Sequence, residues 1–165
     1  MDLMHFNSTT ADQAAAAVRP CVDITRWVDA VVESRPYRSV DELLATATSA
    51  AAPFEPHEVD AALAHHPRLG ERAAGDSTEA HLSRDEQSGL GSDDSVAARL
   101  AAANAAYEAR FHRVFLIRAA GRSPEEILAE IDRRMQNTPE REAQEVASQL
   151  REIAVLRLRG LLSPS

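Results

Sequence analysis

A histidine followed by proline is the first place in this chain where the residue types suggest proton-transfer chemistry. His66 precedes Pro67, with Gly70 close behind. Proline biases the residue before it toward an extended backbone, so the His66 imidazole is expected at the exit of a helix, facing a loop. Histidine is the side chain best suited to moving protons near neutral pH. Because most of the 6 histidines in such a chain are solvated or cap helices, the pattern makes His66 a candidate and no more.

A second candidate is a short polar run that contains a carboxylate and an amide side by side. It consists of Ser83, Arg84, Asp85, Glu86 and Gln87. Its Ser-x-x-Glu spacing is also that of a helix capping box, and the spacing recurs at residues 39–42 and 123–126, so a purely structural role stands beside the functional one. A carboxylate and an amide at a helix N-terminus can also orient an imidazole or hold a ureido N–H.

Other reactive groups are scarce. All 18 basic residues are arginine, and the absence of lysine excludes a Schiff base, covalently held pyridoxal phosphate and a P-loop. Cys21 is the only cysteine, which excludes an internal disulfide and fits a reducing compartment. The pair His57-Glu58 lacks the second histidine of a zinc-protease motif, so no metal is expected. Nor does the sequence contain a nucleophile elbow.

Charge and hydropathy exclude two classes of partner. The formal net charge is −8, and the arginines are scattered among acidic residues, which disfavours binding to nucleic acid. No apolar run approaches the roughly 18 residues of a membrane span. The N-terminus lacks the basic start and apolar core of a signal peptide. We therefore expect a cytoplasmic protein without a membrane partner.

The elements that must position these residues are predicted to be helices. Alanine is abundant, β-branched and aromatic residues are few, and no convincing strand is found. The length of 165 residues suits a single domain spanning 1–165. The expected fold is therefore all-α, a compact bundle of about eight helices, in which a polar loop at 67–82 follows the helix that leads to His66. The apolar spacing predicts helices near residues 11–18, 22–36, 39–47, 59–66, 83–89, 95–119, 124–131 and 139–162.

Two of these helices bear on the candidate site. The segment 95–119 is expected to be the central helix, with an apolar stripe made of Leu100, Ala103, Tyr107, Phe111, Val114 and Phe115. The last helix is expected to bury Val146, Leu150, Ile153, Leu156 and Leu161. The run Leu156-Arg157-Leu158-Arg159 must expose at least one arginine, and an inward Arg157 would be suited to anchoring a carboxylate.

Several motifs in register resemble one family. They are His66-Pro67-Arg68-Leu69-Gly70, then Ser83-x-x-Glu86-Gln87, then Asn104-x-x-Tyr107-Glu108-x-Arg110-Phe111, then Phe115-Leu116-Ile117-x-Ala119-x-Gly121-Arg122-Ser123, and finally Leu156-Arg157-Leu158. Their order and spacing resemble those of the 2-oxo-4-hydroxy-4-carboxy-5-ureidoimidazoline (OHCU) decarboxylases. Trp27 and the following Arg35-Pro36-Tyr37 are similar to that family's N-terminal pattern.

The resemblance implies an all-α protein, commonly a homodimer, that converts OHCU to (S)-allantoin in urate degradation without a cofactor. By the same resemblance His66 is the catalytic histidine and Glu86 its partner carboxylate. Arg157 corresponds to an arginine that anchors the substrate. The remaining substrate-binding residues implied by the resemblance are Pro67, Ser83, Arg84, Asp85, Gln87, Phe115, Leu116, Ile117, Arg118 and Ala119.

Two positions depart from the family pattern, and two other classes of function remain open. Many relatives have Phe-Gly where this chain has Phe111-His112, and a small or thiol residue where it has Arg118. Both departures concern the wall of the pocket. The alternatives are a non-catalytic helical module for ligand or protein binding on the same scaffold, and a helix-turn-helix regulator, which would need a basic recognition helix that the sequence lacks.

Overall fold

Helices account for all the regular structure in the residues that the computed structural model describes, 1–64 and 94–162. The all-α prediction is confirmed. In chain order the helices are α1 (Leu3–Ser8), α2 (Ala11–Val18), α3 (Thr25–Glu33), α4 (Val40–Ser49), α5 (Pro56–Leu63), α6 (Asp94–Phe111), α7 (Pro124–Arg134) and α8 (Pro139–Leu162), with one 3₁₀ turn at Arg19–Cys21. None of these helices is long and apolar enough to cross a membrane.

The predicted start signals act as caps. Ser39 accepts the N–H of Glu42 at 3.1 Å at the start of α4. Ser123 and Glu126 form a reciprocal capping box at the start of α7, with Pro124 at its first position. These side chains satisfy backbone N–H groups that the helices leave without internal partners. The short helix α1 was not predicted, because six residues are too few to show a helical period.

The chain divides into two compact units, Met1–Ala62 with Leu150–Ser165, and Leu63–Gln149. In the first unit α3 buries Trp27, Val28 and Val31 completely. The indole N–H of Trp27 donates to the Ala47 carbonyl at 2.8 Å, which satisfies the only polar atom of that side chain. The single-domain organisation over 1–165 stays a prediction.

The second unit has its own apolar core. Buried side chains from α6, from the connection that follows it and from α7 form one cluster, Leu100, Tyr107, Phe115, Ile117, Ala119, Ile127 and Ile131. The rings of Tyr107 and Phe115 meet edge to face, with centroids 5.0 Å apart. Part of the predicted substrate-binding set, Phe115 to Ala119, is therefore built into this core.

The prediction of one central helix over 95–119 is wrong at its C-terminal end. The helix stops at Phe111, and residues 112–119 have no regular structure. Val114 and Phe115 therefore do not continue a helical stripe. Phe115 reaches Tyr107 from an irregular segment instead.

The buried face of α8 also differs from the prediction. Val146, Leu150 and Ile153 are buried as expected. Leu156 and Leu161 are only partly buried, whereas Arg157, Leu158 and Leu162 are buried in their place. The helical period from Leu150 through Ile153 reaches position 157 next, so the arginine lies on the apolar face itself. Arg159 is the exposed member of the pair.

Candidate active site

The connection between α6 and α7 begins with a residue in the left-handed backbone region. His112 has φ 55°, and its N–H donates to the Glu108 carbonyl at 2.9 Å as the last bond of the helix. This is the position after a helix where glycine is most often found, because glycine has no Cβ to strain there. A glycine at this position would avoid that strain, whereas His112 adopts the left-handed conformation with a side chain.

The five candidate residues 115–119, here called the site segment, begin three positions after His112. Phe115, Leu116, Ile117 and Ala119 are buried, and Arg118 is partly buried. A buried irregular segment cannot pair its own backbone groups as a helix does, so other groups must supply the partners. The structure brings this part of the predicted site together as one continuous strip of backbone.

Side chains satisfy several groups of that backbone. The Leu116 carbonyl accepts a hydrogen bond from Nη1 of Arg134 at 2.7 Å. The N–H of Arg118 donates to Oε1 of Gln149 at 2.9 Å, and its carbonyl accepts Nε of Arg122 at 3.1 Å. The site segment is therefore fixed from more than one side.

One peptide position differs from its neighbours. Within residues 1–64 and 94–162, neither the N–H nor the carbonyl of Ile117 has a hydrogen-bond partner, although the residue is only 5% exposed. Buried backbone groups are nearly always paired with protein, water or ligand. The Ile117 peptide groups are thus suited to recognising a ligand that carries amide-like donors and acceptors.

Behind the site segment lies a buried ion pair that the motifs in the sequence do not include. Arg134 is 0% exposed and Glu142 is 1% exposed. Oε1 of Glu142 accepts hydrogen bonds from Nε of Arg134 at 2.9 Å and from Nη2 at 2.5 Å. The same oxygen accepts a short hydrogen bond from the Tyr107 hydroxyl. Oε2 accepts the Asn137 side-chain amide at 2.8 Å. Burial, and then the neighbouring Glu142 carboxylate, raise the pKa of Tyr107 well above its ordinary value.

A sequence signal for this pair did exist. Ile127, Ile131 and Arg134 recur at helical spacing on α7, and Glu142, Val146 and Leu150 do so on α8. A charged residue in phase with an apolar stripe is expected to be buried together with it. Gln149, which holds Arg118, gives no such signal because its residue type suits an exposed face equally well.

Arg157 belongs to the first unit. Its side chain is 4% exposed on α8, and Nη1 lies 3.5 Å from the carbonyl of Cys21. Cys21 is itself buried. The inward orientation of Arg157 is one of the two arrangements that the sequence left open.

The departure at position 118 is also visible. Nη1 of Arg118 donates to the Ala120 carbonyl at 3.3 Å, so this side chain folds back along its own segment. The other predicted site residues, His66, Pro67, Ser83, Arg84, Asp85, Glu86 and Gln87, lie outside the described residues, as do the loop 67–82 and the helix expected from 83. Among the residues that the structure does describe, no group of three or more His, Cys, Asp or Glu side chains could hold a metal ion.

Comparison with known proteins gives a consistent result. A model of the family described as OHCU decarboxylase matches residues 7–159. A crystal structure of OHCU decarboxylase in the presence of (S)-allantoin is similar with a TM-score of 0.73 and 22% identity, covering 94% of this chain and 100% of that chain. A crystal structure of (S)-allantoin synthase is similar with a TM-score of 0.70 and 17% identity, covering 98% of this chain and 54% of that chain. No curated protein sequence matches significantly.

The two structures share the fold with this chain, and the family match extends over nearly all of it. The matched range contains every motif on which the resemblance rests, including those outside the described residues. The chain therefore belongs to the OHCU decarboxylase family and is an enzyme of the carboxy-lyase class.

Proposed function

We propose that this protein decarboxylates OHCU to (S)-allantoin in urate catabolism, with His66 as the acid–base residue and Glu86 as its partner. The observation that carries the proposal is the family match over residues 7–159, which includes both residues in their motifs. The similar OHCU decarboxylase was crystallised in the presence of (S)-allantoin, which agrees with the reaction proposed here.

The chemistry needs no covalent catalyst from the protein. Loss of CO₂ leaves an electron pair on carbon, and decarboxylases usually supply an electron sink for it. In OHCU the carboxyl-bearing carbon adjoins the C=N bond of the imidazoline ring, so the substrate itself accepts the electrons. A proton must then be delivered to one face of the ring, and the substrate hydroxyl proton must be moved. A chain without lysine can perform both steps.

Each predicted residue has a place in this reaction. His66 carries the proton, and Glu86 holds its tautomer or the substrate hydroxyl. Gln87 and the backbone of the site segment recognise the ureido and ring amides. Arg157 fixes an oxygen of the substrate, because a guanidinium pairs with carboxylate or carbonyl oxygens through two parallel N–H donors. The remaining contacts come from Pro67, Ser83, Arg84 and Asp85.

Two features of the described residues support this assignment. The Ile117 N–H and carbonyl are buried peptide groups of the type that pair with a ureido group. Arg157 is 4% exposed, and a charge held away from water interacts more strongly with a bound anion than an exposed one does. The homodimeric state and the cytoplasmic location belong to the same proposal.

The decisive experiment replaces His66 by asparagine. General acid–base catalysis typically contributes about 10²–10⁴-fold to the rate, so H66N is expected to lose formation of (S)-allantoin by about that factor. Circular dichroism follows the product while urate oxidase and hydroxyisourate hydrolase generate OHCU in the assay. His57→Asn is the matched control, because His57 is exposed at the start of α5 and its loss should leave the rate unchanged.

The same assay separates the alternatives. A non-catalytic binding module would give only the racemic allantoin of the uncatalysed reaction, with the wild-type chain as with H66N. An H66N enzyme that makes (S)-allantoin at the wild-type rate would remove His66 from the mechanism. Sedimentation equilibrium tests the dimer, and a monomer at assay concentration would contradict that part of the proposal.

A further inference from the structure

On the basis of the function proposed above, we propose that Arg134 and Gln149 are positioning residues that hold the site segment in the conformation that binds substrate. Neither residue appears in the motifs that identify the site. Both contact its backbone directly: Arg134 through the Leu116 carbonyl at 2.7 Å, and Gln149 through the Arg118 N–H at 2.9 Å. These two bonds flank Ile117, whose own N–H and carbonyl have no hydrogen-bond partner in the part of the chain that the structure describes.

Stability alone does not account for the position of Arg134. A fully buried ion pair costs desolvation energy that its attraction often fails to recover, and replacing such a pair by apolar residues is frequently neutral or stabilising. Arg134 and Glu142 form such a pair in the core of the second unit. What an apolar side chain could not reproduce is the hydrogen bond to Leu116. The geometry therefore points to orientation of the site segment as the role of the pair.

The shape of the guanidinium suits this role. Two of its nitrogens face the same Glu142 oxygen, and the third, Nη1, is turned toward the Leu116 carbonyl. Its central carbon lies 4.5 Å from the centre of the Phe115 ring. One rigid, planar group thus contacts two consecutive residues of the site segment. A lysine ammonium is a point charge without this fork and cannot make both contacts in the same way.

The test compares two adjacent arginines. Arg133 and Arg134 are both near the end of α7 and both pair with glutamates, but Arg133 is 51% exposed and bonds to Glu130 and Glu145 without touching the site segment. R134K keeps the charge and loses the fork, and R133K is the matched control. KM for OHCU is measured for both, since KM does not depend on how much of the enzyme is folded.

R134K is expected to raise KM by about tenfold, which corresponds to the loss of one hydrogen bond to a charged group. R133K is expected to keep the wild-type KM. If R134K fails to fold, as judged by far-ultraviolet circular dichroism, Gln149→Leu tests the other bond. Gln149 is partly buried, and Gln144→Leu on the same helix, α8, is its control.

The outcomes are distinguishable. A KM raised in R134K or Q149L but not in R133K or Q144L supports the inference. Wild-type KM in a folded R134K and in Q149L overturns it, while leaving the proposed reaction intact. A wild-type chain that forms no (S)-allantoin would overturn the proposed function and the positioning role with it.

Discussion

Two connections between helices have irregular backbone whose carbonyls are bound by arginine side chains, one of them near solvent and the other partly buried. Residues 50–55 join α4 to α5 in the first unit, and residues 112–123 join α6 to α7 in the second. Each contains a residue other than glycine in the left-handed region, Ala51 at φ 49° and His112 at φ 55°. In each, arginine side chains bind the backbone carbonyls.

The first connection lies near solvent. Arg151 donates to the carbonyls of Ala50 and Ala51 at 2.5 and 3.0 Å, and its guanidinium lies 3.9 Å from the centre of the Phe54 ring. Arg26 donates to the Pro53 carbonyl at 3.0 Å and pairs with Glu58 through two bonds of 2.8 and 2.9 Å. The Arg26 side chain is 46% exposed, so water can replace much of what it provides.

The second connection is largely buried only at residues 115–119, and it uses a buried arginine. Arg134 and its partner Glu142 are almost completely shielded from water. Water cannot substitute for either group, so each depends on the other. The predicted site residues 115–119 lie on this connection and none lies on the first. The segment that contains the predicted site residues is thus held in part by an arginine that water does not reach, whereas the first connection is held in part by an exposed one.

The largest effect on stability is expected when the carboxylate that pairs with the arginine of each connection is replaced. Glu142→Gln removes the carboxylate that accepts two hydrogen bonds from Arg134, so that the buried guanidinium keeps only Glu145, whose Oε2 lies 3.9 Å from Nε. The free energy of unfolding is expected to fall by about 3–5 kcal/mol. Glu58→Gln makes the same change beside the half-exposed Arg26 and is expected to cost far less. Urea unfolding, followed by circular dichroism at neutral pH, measures both. Equal losses in the two variants would show that burial does not distinguish the connections.

A smaller effect on stability is expected when the left-handed residue of each connection is replaced by glycine. A left-handed conformation costs an L-residue roughly 1–2 kcal/mol, and glycine loses part of that advantage through its more flexible unfolded chain. His112→Gly and Ala51→Gly are therefore each expected to raise the free energy of unfolding by about 0.5–1 kcal/mol. His112→Ala keeps the Cβ and should give no such gain. If H112A stabilises as much as H112G, backbone strain is not the cause.

The smallest expected effect is the pH dependence of the stability that the ion pair between Arg26 and Glu58 contributes. The hydrogen bond from Arg26 holds the pKa of Glu58 below the ordinary 4.5. A carboxylate with a lowered pKa contributes stability above its ordinary pKa, and that contribution is lost as the pH falls through the lowered value. The difference in unfolding free energy between wild type and E58Q should therefore shrink as the pH falls below 4.5. A constant difference across that range would mean that the ion pair contributes nothing.

The sequence predicts the helices well because their caps are local. The capping box at Ser123 and the start signal at Ser39 depend on residues three positions apart, and both form. The end of α6 could not be found in the same way. Its left-handed residue is His112, so the glycine that usually announces a helix end is absent. Val114 and Phe115 beyond it continue the helical spacing, but they lie in an irregular segment, from which Phe115 packs against Tyr107.

The site is predictable to a different degree. Motif spacing predicts the site segment and Arg157 as site residues without any knowledge of their conformation. It does not include Arg134, Glu142 or Gln149: helical periodicity signals that the first two are buried, but not which backbone groups they or Gln149 contact. Arg134 meets the carbonyl of Leu116 across 18 positions, and Gln149 meets the N–H of Arg118 across 31. Such pairings follow from how the helices pack, which local periodicity does not specify.

The choice of arginine behind the site segment has a consequence for enzymology. A guanidinium keeps its proton throughout the pH range in which a histidine titrates. The bond between Arg134 and the Leu116 carbonyl therefore gives the enzyme a donor that does not switch off within an assay series. A bell-shaped or sigmoidal pH–rate curve would then report the groups that move protons, and the bond between Arg134 and Leu116 would not contribute to its shape.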